Sequence, residues 1–336
     1  MSDPFFSPEQ RNRPLDITGI ENAILDLLVQ VKDYLIDDLG LVKGTMKLVD
    51  TDEQAKILET VGELKPEITP GGSCANVLRA ASDLGARCCY SSAVADDVFG
   101  EAFEHGLERH GVADRLVRLD GATGTSVILV SPDGERTMNT HLGVCQQYSK
   151  PHVPEQQIRD SRLFFTTGYM WDTPNQIEAI EHAFDVAREA GCRLAMDLAD
   201  PFAVDRSREH IERHLSNGLD LLFANNEEAR MLTGFEARDA ARRLAQTIDV
   251  VVVKDGPNGA WIATHEETLH VPTDPVRVVD TTGAGDCFAA GFLYGLVRGL
   301  PLEACGEVGN LMAADTIQHI GVKFSHDIRT RVHALC

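Results

Sequence analysis

Val278-Val279-Asp280-Thr281-Thr282-Gly283-Ala284-Gly285-Asp286-Cys287-Phe288 is the stretch on which the reading of this chain turns. The residues before it, 276–279, read as a short buried strand. Those after it carry Phe288, Phe292 and Leu296 on one helical stripe. Between them lies a turn of small residues with uncovered backbone N–H groups at the start of a helix. Free donors and the positive end of the helix dipole make such a turn an anion site. Asp286 falls in the first turn of that helix. An acid beside an anion site is a poor arrangement for binding alone. It suits a base that takes a proton while charge develops on a neighbouring phosphate. Helix capping is the other job an aspartate does there, and the spacing supports the two about equally.

Outward from this turn the chain alternates strand and helix. Strands are expected near 163–167, 193–198, 219–224 and 250–254, and helices at 173–190, 206–216, 285–298 and 302–319. Repeated β-α units imply an α/β fold with a mostly parallel sheet between helices. Ligands in such folds lie at the carboxyl ends of strands. Asn225, Lys254 and Gly283 all follow strands and are expected at one edge. Nearer the start, 15–20 and 24–31 are strand-like, and Asp26 interrupts the second run. It marks either an exposed edge or a site. Residues 33–50 look like a loop with short strands, and 51–61 like a helix with Thr51 and Gln54 at capping-box spacing. Thr69-Pro70-Gly71-Gly72-Ser73-Cys74-Ala75-Asn76 opens a helix to about residue 84. Its paired glycines let a ligand approach the backbone, and Asn76, one turn inside, tilts the reading toward a site. A hairpin turns at 131–135. Residues 1–14, polar with three prolines, read as a flexible tail. The remainder, 15–336, reads as a single domain whose small lid draws strands from about 33–50 and 123–145.

Composition narrows the partners. The net charge is −21 over 336 residues, which argues against nucleic acid or an anionic membrane as a partner. The eight cysteines form no C-x-x-C pair and mostly sit in apolar runs, as small hydrophobes do in a reducing compartment. With no apolar run near ~18 residues and no signal-peptide core, a soluble cytoplasmic protein is expected. No G-x-x-x-x-G-K-[ST] loop, G-x-G-x-x-G fingerprint, Gly-x-Ser-x-Gly elbow or His-Glu-x-x-His pair occurs.

Asp280-Thr281-Thr282-Gly283-Ala284-Gly285-Asp286, with Phe288 and Gly291, resembles the C-terminal motif of the ribokinase (PfkB-type) carbohydrate and nucleoside kinases, and Gly71-Gly72-Ser73-x-x-Asn76 resembles their substrate motif. The match runs from about Asp16 to Lys323, in family order. Residues 19–26, 40–50, 134–140 and 197–202 are similar to the adenosine kinases, bacterial ones in particular. Two positions depart from pattern: Ala95 stands where the family commonly has glycine, and Met46 where animal adenosine kinases have glutamine.

The resemblance implies a ribokinase-like fold and ATP-dependent phosphorylation of the 5′-hydroxyl of adenosine; another nucleoside or a sugar is the alternative substrate, and a nucleotide-binding protein without turnover the distant one. It implies that Asp286 is the base, with the N–H groups of Gly283, Ala284 and Gly285 as the anion hole and Arg136 as a lid cation. Asp26, Gly72 and Asn76 hold the ribose in this reading, helped by Asn22, Gly71 and Ser73. Met46, Leu48, Met138 and Phe202 face the base. Asn225, Lys254, Gly256, Gly259, Asn310 and Ala313 lie along ATP. Glu228 organises Mg²⁺ through water, and Asp280 with the Thr282 carbonyl marks a monovalent-cation position for K⁺. The implied partner is a small molecule, and the chain a monomer or a lid-mediated homodimer.

Overall fold

The computed structural model describes residues 5–61, 64 and 66–336. Its strands are β1 Leu15–Ile20, β2 Ile24–Gln30, β3 Met46–Leu48, β4 Glu67–Pro70, β5 Cys88–Val94, β6 Ala113–Arg118 and β7 Gly124–Val130. They continue with β8 Arg136–His141, β9 Ser161–Thr167, β10 Arg193–Asp197, β11 Leu221–Asn225, β12 Val250–Lys254, β13 Ala260–Ala263 and β14 Thr268–Val271. Nine of these form a sheet in the order β14-β13-β12-β11-β10-β9-β1-β5-β6. It is parallel from β12 to β6 and closes at its other edge with the antiparallel β13–β14 hairpin.

Both faces of this sheet are covered. Along β11 the side chains alternate: Leu221 and Phe223 join a core that includes Phe288 and Phe292, while Leu222 and Ala224 join one that includes Ile180 and Phe184. Period-two alternation of apolar residues on both faces is what a buried parallel strand requires. Helices Ser73–Leu84 and Ala284–Arg298 pack on the first face and Pro174–Glu189 on the second.

The second sheet runs β3-β8-β7-β2-β4. It draws on β2 and β4 as well as on the expected 33–50 and 123–145 segments. One face carries Val29, Val127 and Leu129, packed with Ile36 and Ile57 from helices Asp33–Asp38 and Thr51–Val61. The other face, with Asp26, Ser126, Ile128, Met138 and Thr140, lines an open cleft.

Several local expectations are corrected. Residues 276–279 form no strand, and Val278 and Val279 are 56% and 50% exposed. Pro272 and Pro275 remove ladder donors just upstream, and the Val279 and Asp280 N–H groups donate instead to Ile317 O. The expected tail is docked from Phe5 onward: Phe5 and Phe6 are buried, Ser7 and Gln10 cap helix Pro8–Arg11, and the Arg193 guanidinium lies 5.0 Å from the Phe5 ring centre. Residues 1–4 lie outside the described residues. The capping box of helix Thr51–Val61 is Asp50 with Glu53, one residue early, because Gln54 turns to the Thr125 hydroxyl at 2.9 Å. Residues 33–38 coil as a helix rather than a loop, the expected helix at 206–216 is split at Ser207, and the one at 302–319 ends at Thr316.

Candidate active site

A cleft of about 1120 Å³ lies between the two sheets. The nine-stranded sheet contributes the carboxyl ends of β10, β11 and β12, through Asp197, Asn225 and Lys254. The five-stranded sheet contributes alternate residues of its open face. Register places Asp26 opposite Ser126, Ser126 opposite Thr140, and Thr140 opposite Leu48. The neighbouring row is Ile128, Met138 and Met46. The result is one carboxylate heading a row with the paired Ser126 and Thr140 hydroxyls, beside an apolar row. Asp26 is therefore not an edge residue: its strand pairs on both sides, with β4 and β7. No described residue hydrogen-bonds its carboxyl group. Burial pushes this group up to about 7, against the pull of the Arg79 and Arg136 charges.

The turn that opens helix Ala284–Arg298 stands across the cleft. Gly283 caps it at φ +67, in the left-handed region that glycine enters without steric cost. The N–H groups of Gly283, Gly285 and Asp286 find no acceptor among the described residues. The Ala284 N–H differs from expectation, since it donates to Thr281 O at 3.2 Å. Asp286, at the third helical position, accepts from Asn76 Nδ2 at 2.8 Å. Burial raises its carboxyl to about 6, held from going higher by the Asn76 bond and the Lys254 charge, with Asp197 pushing upward. A carboxylate poised near neutral pH suits a proton acceptor.

Lys254 reaches the same turn: its Nζ lies 3.1 Å from where a side chain on Gly285 would begin, and it donates to Asp197 at 2.6 Å. Burial works against its charge, but the Asp197 and Glu228 carboxylates more than reverse that, and it stays protonated. Glu228 is buried and raised to about 7 by burial, with Lys254 opposing. Both its oxygens accept from Asn225, at 2.8 and 2.7 Å, and Asn225 Oδ1 accepts from the Glu228 N–H. The pair is thus the capping box of helix Asn226–Thr233. Arg136 crosses from β8 to meet Asp280 at 2.6 Å. The Asp280 carboxylate also accepts from the Thr282 N–H and hydroxyl and the Gly321 N–H, which together with Arg136 hold it below its usual range despite burial.

Of the residues singled out from the sequence, three do not line the cleft. Gly71 lies beneath Asp26, Asp280 stands behind the turn, and Phe202 is 44% exposed on helix Pro201–Arg206. Asn22 lines the cleft, but its amide is engaged by Gln176 and by Tyr169 O. Gly72, Ser73, Gly256, Gly259, Thr282, Asn310 and Ala313 all line it. Asp197, Ala199, Asp172 and Glu21 line it without having been assigned a role. Ala199 has φ +68, alone among the described non-glycine residues; nothing in its sequence neighbourhood signals that.

Glu21 carried a signal: an acid in the three-residue crossing Glu21-Asn22-Ala23 between two apolar strands. It is 3% exposed, and its carboxyl accepts from the Cys74 N–H at the start of helix Ser73–Leu84. Burial pushes it from 4.5 to about 8, with the Cys74 bond opposing and Asp286 adding to the rise. Between those values the folded chain keeps a proton that the unfolded chain releases. The stability contributed by the neutral acid is complete below pH ~4.5 and is lost as pH rises through about 8. Glu21→Gln keeps an oxygen for Cys74 without the charge. It should be stabilised by roughly 4–5 kcal/mol at pH 8.5, about 6 °C in melting temperature for a chain of this length, with little change at pH 5. Equal shifts at the two pH values in thermal melts would refute the assignment.

Fold and site together define a ribokinase-like kinase that transfers a phosphoryl group to an alcohol. The chain belongs to the pfkB family of carbohydrate kinases, whose model matches residues 41–329. An adenosine kinase from Sinorhizobium meliloti, known by crystal structure, is 34% identical and superposes with a TM-score of 0.88 over 96% of this chain and 99% of its own. An uncharacterized sugar kinase of Archaeoglobus fulgidus is 32% identical over 248 residues, covering 72% of this chain and 96% of that protein. The adenosine kinase of Saccharomyces cerevisiae is 28% identical over 336 residues, covering 93% and 96%. Among the described residues no helix is long and apolar enough to cross a membrane.

Proposed function

We propose that this kinase phosphorylates the 5′-hydroxyl of adenosine from ATP, giving AMP and ADP. The observation that carries the reading is the open face of the second sheet, where the unpartnered Asp26 carboxylate heads a row through Ser126 and Thr140 to Leu48, flanked by an apolar row of Ile128, Met138 and Met46. A carboxylate offers only acceptors and suits the ribose 2′,3′-diol. The apolar row suits a flat base; a free sugar leaves it uncovered. Asp286 takes the 5′-hydroxyl proton, and the free N–H groups of Gly283, Gly285 and Asp286 bind the transferred phosphoryl group. Lys254 and Arg136 add positive charge. Phosphoryl transfer asks for such positioning and charge stabilisation more than for covalent chemistry. Asn225, Gly256, Gly259, Asn310 and Ala313 flank the nucleotide.

Mg²⁺ fits the Glu228 end through water: each carboxylate oxygen already accepts a bond from Asn225 yet keeps a lone pair free. Bound with ATP, the ion neutralises phosphate charge. K⁺ fits less well on the Asp280 carboxylate, which Arg136, Thr282 and Gly321 saturate, so backbone carbonyls such as that of Thr282 would hold it. In this reading the five-stranded sheet serves as a lid, and its edge strands β3 and β4 offer the surface for a dimer if the chain is not a monomer. The cytoplasm is the compartment that suits seven buried free cysteines.

ADP release measured over adenosine, cytidine, inosine, ribose and fructose tests the substrate. Adenosine should give the highest kcat/KM, with a 5′-phosphate ester seen by phosphorus NMR. Turnover of ribose or fructose without adenosine would overturn the reading.

A further inference from the structure

We infer that Arg79 is a positioning residue that sets the orientation of Asn76 and, through it, the protonation of Asp286; the inference rests on Asp286 as the base. Arg79 lies on helix Ser73–Leu84, outside the lining of the cleft. Its Nη2 donates to Asn76 Oδ1 and, at 2.7 Å, to Pro70 O; its Nε reaches Ala75 O at 3.3 Å. Asn76 in turn donates Nδ2 to Asp286.

The chemistry of this row is directional. A guanidinium only donates and an ionised carboxylate only accepts. The amide between them therefore has one orientation, carbonyl toward Arg79 and NH₂ toward Asp286. An NH₂ donor favours the ionised carboxylate, whereas a carbonyl turned to the same place favours the protonated acid. With Arg79 removed, nothing else among the described residues fixes the amide oxygen, and the amide is free to turn over.

The charge environment points the same way. Asp286 faces Ser73, Cys74, Asn76 and Arg79 from one helix, Glu21 from the β1–β2 crossing, Asp26 from β2, Tyr169 just past β9, Asp197 from β10, Lys254 from β12 and Cys287 on its own helix. Arg79 faces Asp26 from β2, Tyr90 from β5, Asp83 from its own helix and Asp286. Burial lowers its own basicity, yet it is the largest attraction holding Asp26 down. Its charge thus acts both on the carboxylate proposed for the diol and on the one proposed for the hydroxyl proton.

The test is the pH profile of kcat for wild type, Arg79→Met, Arg79→Gln and Arg79→Lys, with thermal melts to confirm folding. The acid limb should move up by about one pH unit in Arg79→Met, so the loss is about fivefold at pH 6, nears about tenfold below pH 5 and is small above pH 8. Arg79→Lys, which keeps the charge and a donor, should return the limb most of the way. Arg79→Gln keeps a donor only and should fall between; it also serves if Arg79→Met does not fold. In an Asn76→Ala background, Arg79→Met should cost less than in wild type. A loss uniform across pH, or strictly multiplicative effects in the double variant, overturns the inference. Asp286→Asn run alongside separates the two levels. If it retains turnover, the base assignment has failed; if it is inactive while the Arg79→Met limb stays in place, only the relay has failed.

Discussion

Asp286→Asn should lower kcat by about 10³–10⁴-fold while ATP binding, followed by titration calorimetry, stays within a few-fold of wild type. Asparagine has the shape of aspartate, and its carbonyl can still accept from Asn76, so the turn and its free N–H groups keep their places. Only the capacity to accept a proton is lost. In the wild-type protein the same group predicts an acid limb in kcat/KM near pH 6, because a carboxyl raised to about 6 is protonated below that value and cannot act as a base. A variant that keeps more than about a tenth of wild-type kcat would mean that the proton leaves by another route. Asp286 would then be a helix acid after all.

Asp26→Asn should lower kcat/KM for the hydroxyl substrate by about 10³-fold, mostly in KM, with the KM for ATP little changed. Two hydroxyls donating to a buried carboxylate are worth about 2 kcal/mol each. The substituted amide presents one acceptor and one donor to a diol placed for two acceptors. The sign of the pH dependence follows from the raised carboxyl. With burial raising the Asp26 carboxyl to about 7, kcat/KM should climb between pH 6 and 8 as it ionises, and Asp26→Asn should flatten that climb. Gly71 gives an independent check. A Cβ there would stand 2.4–2.5 Å from all three carboxyl atoms of Asp26, so Gly71→Ala should reproduce much of the same KM defect by displacing the side chain. An unchanged KM in Asp26→Asn would remove this residue from substrate binding altogether.

Beyond these residues, the site divides by how its parts are encoded. The turn at Gly283–Asp286 and the Gly71-Gly72-Ser73-x-x-Asn76 segment are local: small residues, a helix start and an acid or amide one turn inside stand side by side in the sequence. Their positions in the structure, both lining one cleft apart from Gly71 beneath it, agree with that reading. The strand–helix alternation after residue 160 was legible for the same reason. Buried parallel strands are continuous apolar runs bounded by turn residues.

Other features were not legible because the deciding partner is remote in sequence. Asp26 was equally an edge residue or a site residue until the register with β7 and β4 put both neighbours on its strand. The valines at 276–279 have strand propensity, but no neighbouring strand accepts them and Ile317 takes the N–H groups of Val279 and Asp280 instead. Arg136 is an ordinary charged residue on a hairpin until it meets Asp280, 144 residues away.

By itself, then, the sequence determined the class of chemistry: an anion-binding helix start with an acid in it, a glycine-paired substrate segment, and an α/β frame that gathers strand ends along one edge. Each of these is written in neighbouring residues. The tertiary structure alone decided which acids face each other, which N–H groups remain free, and which amide stands between Arg79 and Asp286. Those depend on burial and on contacts across 50 to 210 residues of chain, and no local pattern carries that information.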